Sequence, residues 1–123
     1  MAKRILVVVS DPDIQRIIKV VLETSGYSAE TADNGRDALL QLERTTYSGV
    51  LLDPILPVVN GLEVLQKARM LYPTLPVVMM TGTARKEIIH QVIAEGAKDV
   101  LLYPFEKEHL RQAVERWFGV AQQ

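Results

Sequence analysis

Apolar, strand-like runs alternate with stretches of helical periodicity five times along the chain, and this alternation restricts the fold more than any other feature. Four of the runs are continuously apolar, which marks strands covered on both faces. Parallel strands need long crossover connections, and amphipathic helices supply them. The expected fold class is therefore α/β with a mainly parallel sheet.

The first strand is expected over Ile5 to Val9. The helix after it has its own start signals: Asp11 suits the cap, Pro12 the first helical position, and Asp13 complements the dipole. Its apolar face is Ile14, Ile17, Ile18, Val21 and Leu22, and Gly26 ends it. A more polar segment from Tyr27 to Thr31 reads as an edge strand, followed by a helix from about Arg36 to Arg44. The third strand is expected over Val50 to Asp53, and its helix over Gly61 to Leu71 behind an Asn60 cap. The remaining pairs are Pro76 to Met80 with Lys86 to Glu95, and Val100 to Leu102 with Lys107 to Phe118.

With 123 residues, 48% apolar and 24% charged, and a net charge of −1, the chain can bury a core without staples and is unlike a disordered or polyanion-binding protein. It has no cysteine, which excludes disulfides, thiolate nucleophiles and thiolate metal sites. Met1-Ala2-Lys3-Arg4 runs straight into the first strand. No signal peptide and no apolar stretch of spanning length are read, so a cytoplasmic location is expected.

Polar residues just past the strands matter most, because open parallel sheets bind ligands outside the carboxyl ends of their strands. Those ends are Ser10-Asp11, Asp53, Thr81-Gly82 and Tyr103-Pro104. Asp53 closes the apolar run Gly49-Val50-Leu51-Leu52, and a carboxylate there is costly for a core and natural for a functional rim. His90 and His109 fall within helices without clustered ligands and read as solvated, while Met79 and Met80 read as core. Trp117 and Phe118 end the last helix, where they complete the core or anchor a partner.

In order and spacing, Leu51-Leu52-Asp53, Leu56-Pro57, Asn60-Gly61-Leu62-Glu63, Thr81-Gly82, Glu95-Gly96-Ala97 and Pro104-Phe105 resemble the receiver domain of bacterial two-component response regulators. The resemblance is CheY-like, runs from the first strand to the last helix, and implies one receiver domain over residues 1–123. The fold it implies is a flavodoxin-like (βα)5 three-layer sandwich with a parallel sheet of order 2-1-3-4-5. It also implies that Asp53 is the position accepting a phosphoryl group from a histidine kinase, with Thr81 as the switch hydroxyl. In such domains two acidic residues after the first strand help hold Mg²⁺, and a lysine before the last proline pairs with the phosphoryl group. A cis Tyr103-Pro104 peptide is expected by the same resemblance.

The chain departs from that pattern where charge is needed. The acidic pair falls on Val9 and Ser10, with Asp11 third. A one-residue shift would pair Ser10 and Asp11 with the acids but misplace Pro12 and the spacing to Asp53. Tyr103 replaces the lysine, Val100 replaces the aromatic switch residue, and Pro54 follows the phosphoacceptor position directly. Mg²⁺ takes near-octahedral oxygen ligands. Asp53 and the Ile55 carbonyl offer two, and Asp11 helps only if its cap role leaves it free, so weak Mg²⁺ binding is expected. Tyr103 can donate one hydrogen bond but carries no charge.

The expected function is a phosphorelay receiver with weak or no phosphorylation at Asp53, a signalling module and not an enzyme. Its output is expected through protein contact on the face of helix four, strand five and helix five, the usual dimer surface of the family, with a histidine kinase or other signalling protein as partner. The alternative is a fully competent, Mg²⁺-dependent phosphoacceptor. An aspartate-nucleophile phosphatase ranks low because Ile55 stands where its second aspartate belongs. A nucleotide-binding flavodoxin-like protein is disfavoured because Ser10-Asp11-Pro12-Asp13 lacks a phosphate-binding loop. Neither nucleic acid nor membrane is expected as a partner.

Overall fold

The computed structural model describes residues 2–82 and 85–121; Met1, Gln122 and Gln123 lie outside that range. Five strands, β1 (Arg4–Val8), β2 (Ser28–Ala32), β3 (Gly49–Leu52), β4 (Val77–Thr81) and β5 (Asp99–Leu102), form one parallel sheet in the order β2-β1-β3-β4-β5. Five helices alternate with them: α1 (Pro12–Thr24), α2 (Gly35–Arg44), α3 (Gly61–Leu71), α4 (Lys86–Ala94) and α5 (Lys107–Phe118). This is the order and architecture expected above.

The period-two alternation of strand side chains divides the core in two. Leu6, Val8, Leu52 and Met79 pack with Ala38, Leu65 and Val92 on the side of α2, α3 and α4. Ile5, Val7, Leu51 and Val78 pack with Ile18, Leu110 and Phe118 on the side of α1 and α5. Strands β1, β3 and β4 are buried apart from Arg4, whereas the edge strands β2 and β5 are only partly covered.

Several boundaries differ from expectation by one residue, and at β2, β3 and β4 the backbone supplies the reason. Strand β3 ends at Leu52 and not at Asp53: the Asp53 amide still donates to the Val8 carbonyl at 3.0 Å, but Pro54 has no N–H to continue the ladder. Strand β4 runs one residue later than expected because Pro76 cannot donate, while the Thr81 carbonyl accepts from the Tyr103 amide at 2.7 Å. The Tyr27 amide donates to the Leu22 carbonyl and closes α1, so β2 starts at Ser28. Strand β1 is assigned from Arg4 to Val8, with the Val9 amide still donating to the Ala32 carbonyl at 3.1 Å. Strand β5 begins at Asp99, α2 begins at Gly35, and α4 ends at Ala94 with Glu95 as its cap.

The loop between β3 and α3 is held from two sides. A Cβ on Gly61 would overlap the Asp53 carbonyl oxygen, and one on Gly35 would overlap the Val59 carbonyl oxygen. Gly35 also donates its N–H to the Pro57 carbonyl at 3.4 Å, tying the start of α2 to this loop. Between these anchors Val58 has φ 69°, and the Val59 amide donates to the Pro57 carbonyl at 2.9 Å. Positive φ with an i→i+2 hydrogen bond is the strained form of γ-turn, and a β-branched residue makes it costlier.

Two stability measurements follow from this loop. Gly61→Ala forces a methyl group against backbone that cannot rotate away, and is expected to cost about 1–3 kcal/mol in urea unfolding. Val58→Gly relieves the left-handed strain and loses little packing, since Val58 is 76% exposed. After the entropy cost of glycine it is expected to stabilise by about 1 kcal/mol. A lower urea midpoint for Val58→Gly would contradict the strain assignment.

Candidate functional site

The carboxyl ends of β1, β3, β4 and β5 gather Val9-Ser10, Asp53, Thr81 and Tyr103 at one edge of the sheet. Asp53 is fixed first by its backbone, through the Val8 carbonyl. Its Oδ1 then accepts from the Ile55 amide at 2.9 Å, an Asx-type closure that sets the carboxylate at the mouth of the loop. Half-burial raises its pKa above the ordinary aspartate value, and the Ile55 amide lowers it by a smaller amount. No basic side chain contributes to that balance, and no ion pair among the described residues includes Asp53.

Val9 is 2% exposed and joins the core beneath α1 and α5. Ser10 is exposed. Asp11 caps α1: its Oδ1 accepts from the amides of Asp13 at 2.8 Å and Ile14 at 3.3 Å. Thr81 is 5% exposed at the end of β4. Tyr103 is half-buried, its peptide to Pro104 is cis, and its ring meets Phe105 edge-on at 4.9 Å. Val100, at the aromatic switch position, is partly buried against the core on the α4 side. His90 and His109 are both exposed on helix surfaces.

Ile55 supplies its amide to Asp53 while its side chain stands 73% exposed. Beside it lies a cleft of about 180 Å³ between the β3–α3 loop and α4, lined by Pro54, Ile55, Leu62, Thr81, Ile88 and Val92 among others. A larger cleft of about 390 Å³ opens at the opposite, amino-terminal edge of the sheet beside Thr45, Thr46, Tyr72 and Thr74. Its lining holds no acidic or basic side chain, and it lies before β3 and β4, at the other end of the strands from Asp53.

Two residues that shape the site were not singled out by sequence. Gln15 donates from Nε2 to the Val9 carbonyl at 2.8 Å and to the Ala32 carbonyl at 3.4 Å, clamping the ends of β1 and β2. Val58 carries the strained turn described above. Neither has a local signal, because each depends on where a distant part of the chain lies.

For a metal, the chain offers the Asp53 carboxylate, the Ile55 carbonyl and the exposed Ser10 hydroxyl. The Asp11 Oδ1 is engaged as a helix cap. Among the described residues, no group of three acidic or histidine side chains is placed to hold an ion. Mg²⁺ keeps several waters and is usually held by one or two carboxylates, and of that set the Asp53 carboxylate with two neutral oxygens supplies the minimum.

The raised pKa of Asp53 has a measurable consequence. Its folded value lies above its unfolded value, so its contribution to stability is present below the unfolded pKa and is lost as pH rises through the folded pKa. Asp53→Asn keeps an oxygen for the Ile55 amide and removes the desolvated charge. The variant is expected to be more stable than the parent at pH 7, with the difference closing as pH falls towards the unfolded value near 3.8. A parent more stable at pH 7 in urea titrations would reverse the assignment.

Comparison with known proteins agrees with this geometry. The family model described as the response regulator receiver domain matches residues 5–115. A transcriptional regulatory protein CpxR homolog of Haemophilus influenzae is 38% identical over 109 residues, covering 87% of this chain but 46% of that protein. The chain thus spans about half the length of that curated relative or less of others. The response regulator receiver protein CpdR of Brucella abortus is 33% identical over 112 residues, 91% of each chain. The crystal structure of a CheY-like receiver domain protein from Methanospirillum hungatei superposes with a TM-score of 0.91 at 30% identity, covering 96% of this chain and 94% of that one. Receiver domains generally hold Mg²⁺ at the phosphorylation site and interact with histidine kinases or other signalling proteins. The chain belongs to the response regulator receiver domain family of two-component systems.

Proposed function

We propose that this chain is an atypical receiver domain that is phosphorylated weakly or not at all at Asp53, and that acts through protein contact and not as an enzyme. The observation that carries the reading is the lack of charge around Asp53. Val9 lies in the core where the family places an acid, and Tyr103 stands where the family places a lysine. In-line phosphoryl transfer depends on positioning and charge neutralisation. The positioning elements are present in the Ile55 amide and Thr81, whereas the charged ones are missing.

The output surface in this reading is the face of α4, β5 and α5. Strand β5 is an open edge, and Leu102 and Ile93 are each 45% exposed there. The Trp117 indole N–H donates to Asp99 Oδ2 at 3.0 Å, and the Arg116 guanidinium lies 5.0 Å from the Trp117 ring centroid, so this face has a defined polar edge. Pairing with a second copy on this face, and a cytoplasmic setting, belong to the same proposal. No described helix is long and apolar enough to cross a membrane.

A competent Mg²⁺-dependent phosphoacceptor is the alternative, favoured by the fixed Asp53 and the buried Thr81 beside it. Titration of the ¹⁵N-labelled protein with Mg²⁺ and beryllofluoride separates the two. The expected result is no saturable response at Asp53, Ile55, Thr81 and Gly82. Saturable shifts that are lost in Asp53→Asn would establish the competent receiver. The combined substitutions Val9→Asp, Ser10→Asp and Tyr103→Lys restore the missing charges and are expected to recover Mg²⁺-dependent beryllofluoride binding.

A further inference from the structure

The rim of the site sets a carboxylate without a basic partner among the described residues beside a mainly apolar cleft. Asp53 uses Oδ1 on the Ile55 amide and has no basic partner among the described residues. Beside it, Ile55 is 73% exposed although a polar side chain would leave its amide contact unchanged. The adjoining cleft of about 180 Å³ lies between the β3–α3 loop and α4. That volume is below the roughly 300 Å³ at which small-molecule sites begin, so it accepts a side chain and not a metabolite. Pro54, Ile55, Leu62, Ile88 and Val92 make most of its wall, with Asn60, Thr81 and Gln91 as its polar members, so the side chain it accepts is mainly apolar.

Charge fixes the rest of the occupant. A half-buried carboxylate gains most from a cationic hydrogen-bond donor, because a charged pair is about twice as strong as a neutral one. The carboxyl-terminal edge also exposes Asp11 and Asp33 on the loops after β1 and β2. Arg85 and Lys86, the exposed basic residues at the start of α4, are not among the residues that line the cleft, and neither forms an ion pair with Asp53.

We propose that Asp53, Ile55 and the cleft beside them form a docking site for a partner protein that inserts an aliphatic side chain and supplies a lysine or arginine to Asp53 in trans. The partner thereby provides the cation absent at Tyr103, and docking takes the place of phosphorylation as the event at Asp53. This rests on the reading of a site short of charge and names the chemistry of its partner.

The test uses the ¹⁵N-labelled chain and a defined probe, the capped tripeptide acetyl-Leu-Arg-Leu-amide, with citrulline in place of arginine as the neutral control. Saturable shifts are expected at the amides of Asp53, Ile55, Leu62, Thr81 and Val92. Affinity is expected to fall about tenfold for the citrulline peptide, for Asp53→Asn and for Ile55→Ser. Ile55 is exposed, so its substitution leaves the fold intact and tests the aliphatic half separately. No saturable shift up to about 10 mM peptide would overturn the proposal, as would equal affinity in Asp53→Asn. Shifts at the same amides on raising protein concentration without peptide would assign the patch to a second copy and overturn it too. Mg²⁺ and beryllofluoride are titrated into the same sample. Saturation there removes the reading beneath the proposal and the proposal with it; silence from both probes leaves the reading and removes only the docking site.

Discussion

Strands β1, β3 and β4 are covered on both faces almost along their whole lengths, and everything functional in this chain is arranged around that burial. No ionisable group can sit within these strands without a large desolvation cost, so carboxylates and hydroxyls are displaced to the strand ends. Parallel register then brings the ends together. Val8 pairs with Leu52 and Leu52 with Met79, which places Val9, Asp53 and Thr81 along one rim with Tyr103 bonded across to Thr81. The site is therefore a consequence of the core.

Charge decides what that rim can do. A hydrogen bond between a cation and a carboxylate nets about 1.5–3 kcal/mol. A neutral hydrogen bond nets about 1 kcal/mol. The Ile55 amide and the Thr81 hydroxyl are of the second kind, and a tyrosine phenol in the lysine position is as well. Neutral donors orient a phosphoryl group but do not neutralise it. The upward pKa of Asp53, driven by burial without a cation in the balance, is the same deficit seen from the carboxylate's side.

The strands were legible because their apolar runs are long relative to their turns, and α1 was legible because Asp11, Pro12 and Asp13 each favour a helix start. Errors at the strand ends came from reading polarity where the backbone decides: Asp53 looks like a strand residue and nearly is one, but Pro54 stops the ladder. Within the site, Asp53, Thr81 and Tyr103 were found by their spacing from the strands. Gln15 was not, because its amide reaches the Val9 and Ala32 carbonyls only once α1 has folded over the sheet. Val58 escaped for a related reason. Its left-handed backbone is imposed by a loop pinned at Gly35 and Gly61, and nothing in the valine itself favours it.

The pinning of that loop separates position from chemistry. Asp53 is placed by the Val8 carbonyl, by the Ile55 amide and by the close fit of Gly61 against its own carbonyl, and none of these contacts involves a metal, a lysine or an acidic pair. The residues that supply charge in a receiver domain are thus free to change while the rim keeps its shape. Val9 illustrates this: its apolar side chain adds to the core beneath α1 and α5, while its amide still donates to the Ala32 carbonyl of the neighbouring strand. A scaffold built this way keeps its surface whatever charge it carries, and here the rim holds a half-buried carboxylate beside the exposed Ile55. Recognition by shape and charge needs no more than that, and the anchors at Gly35 and Gly61, strong enough to impose the left-handed backbone of Val58, hold the rim in place.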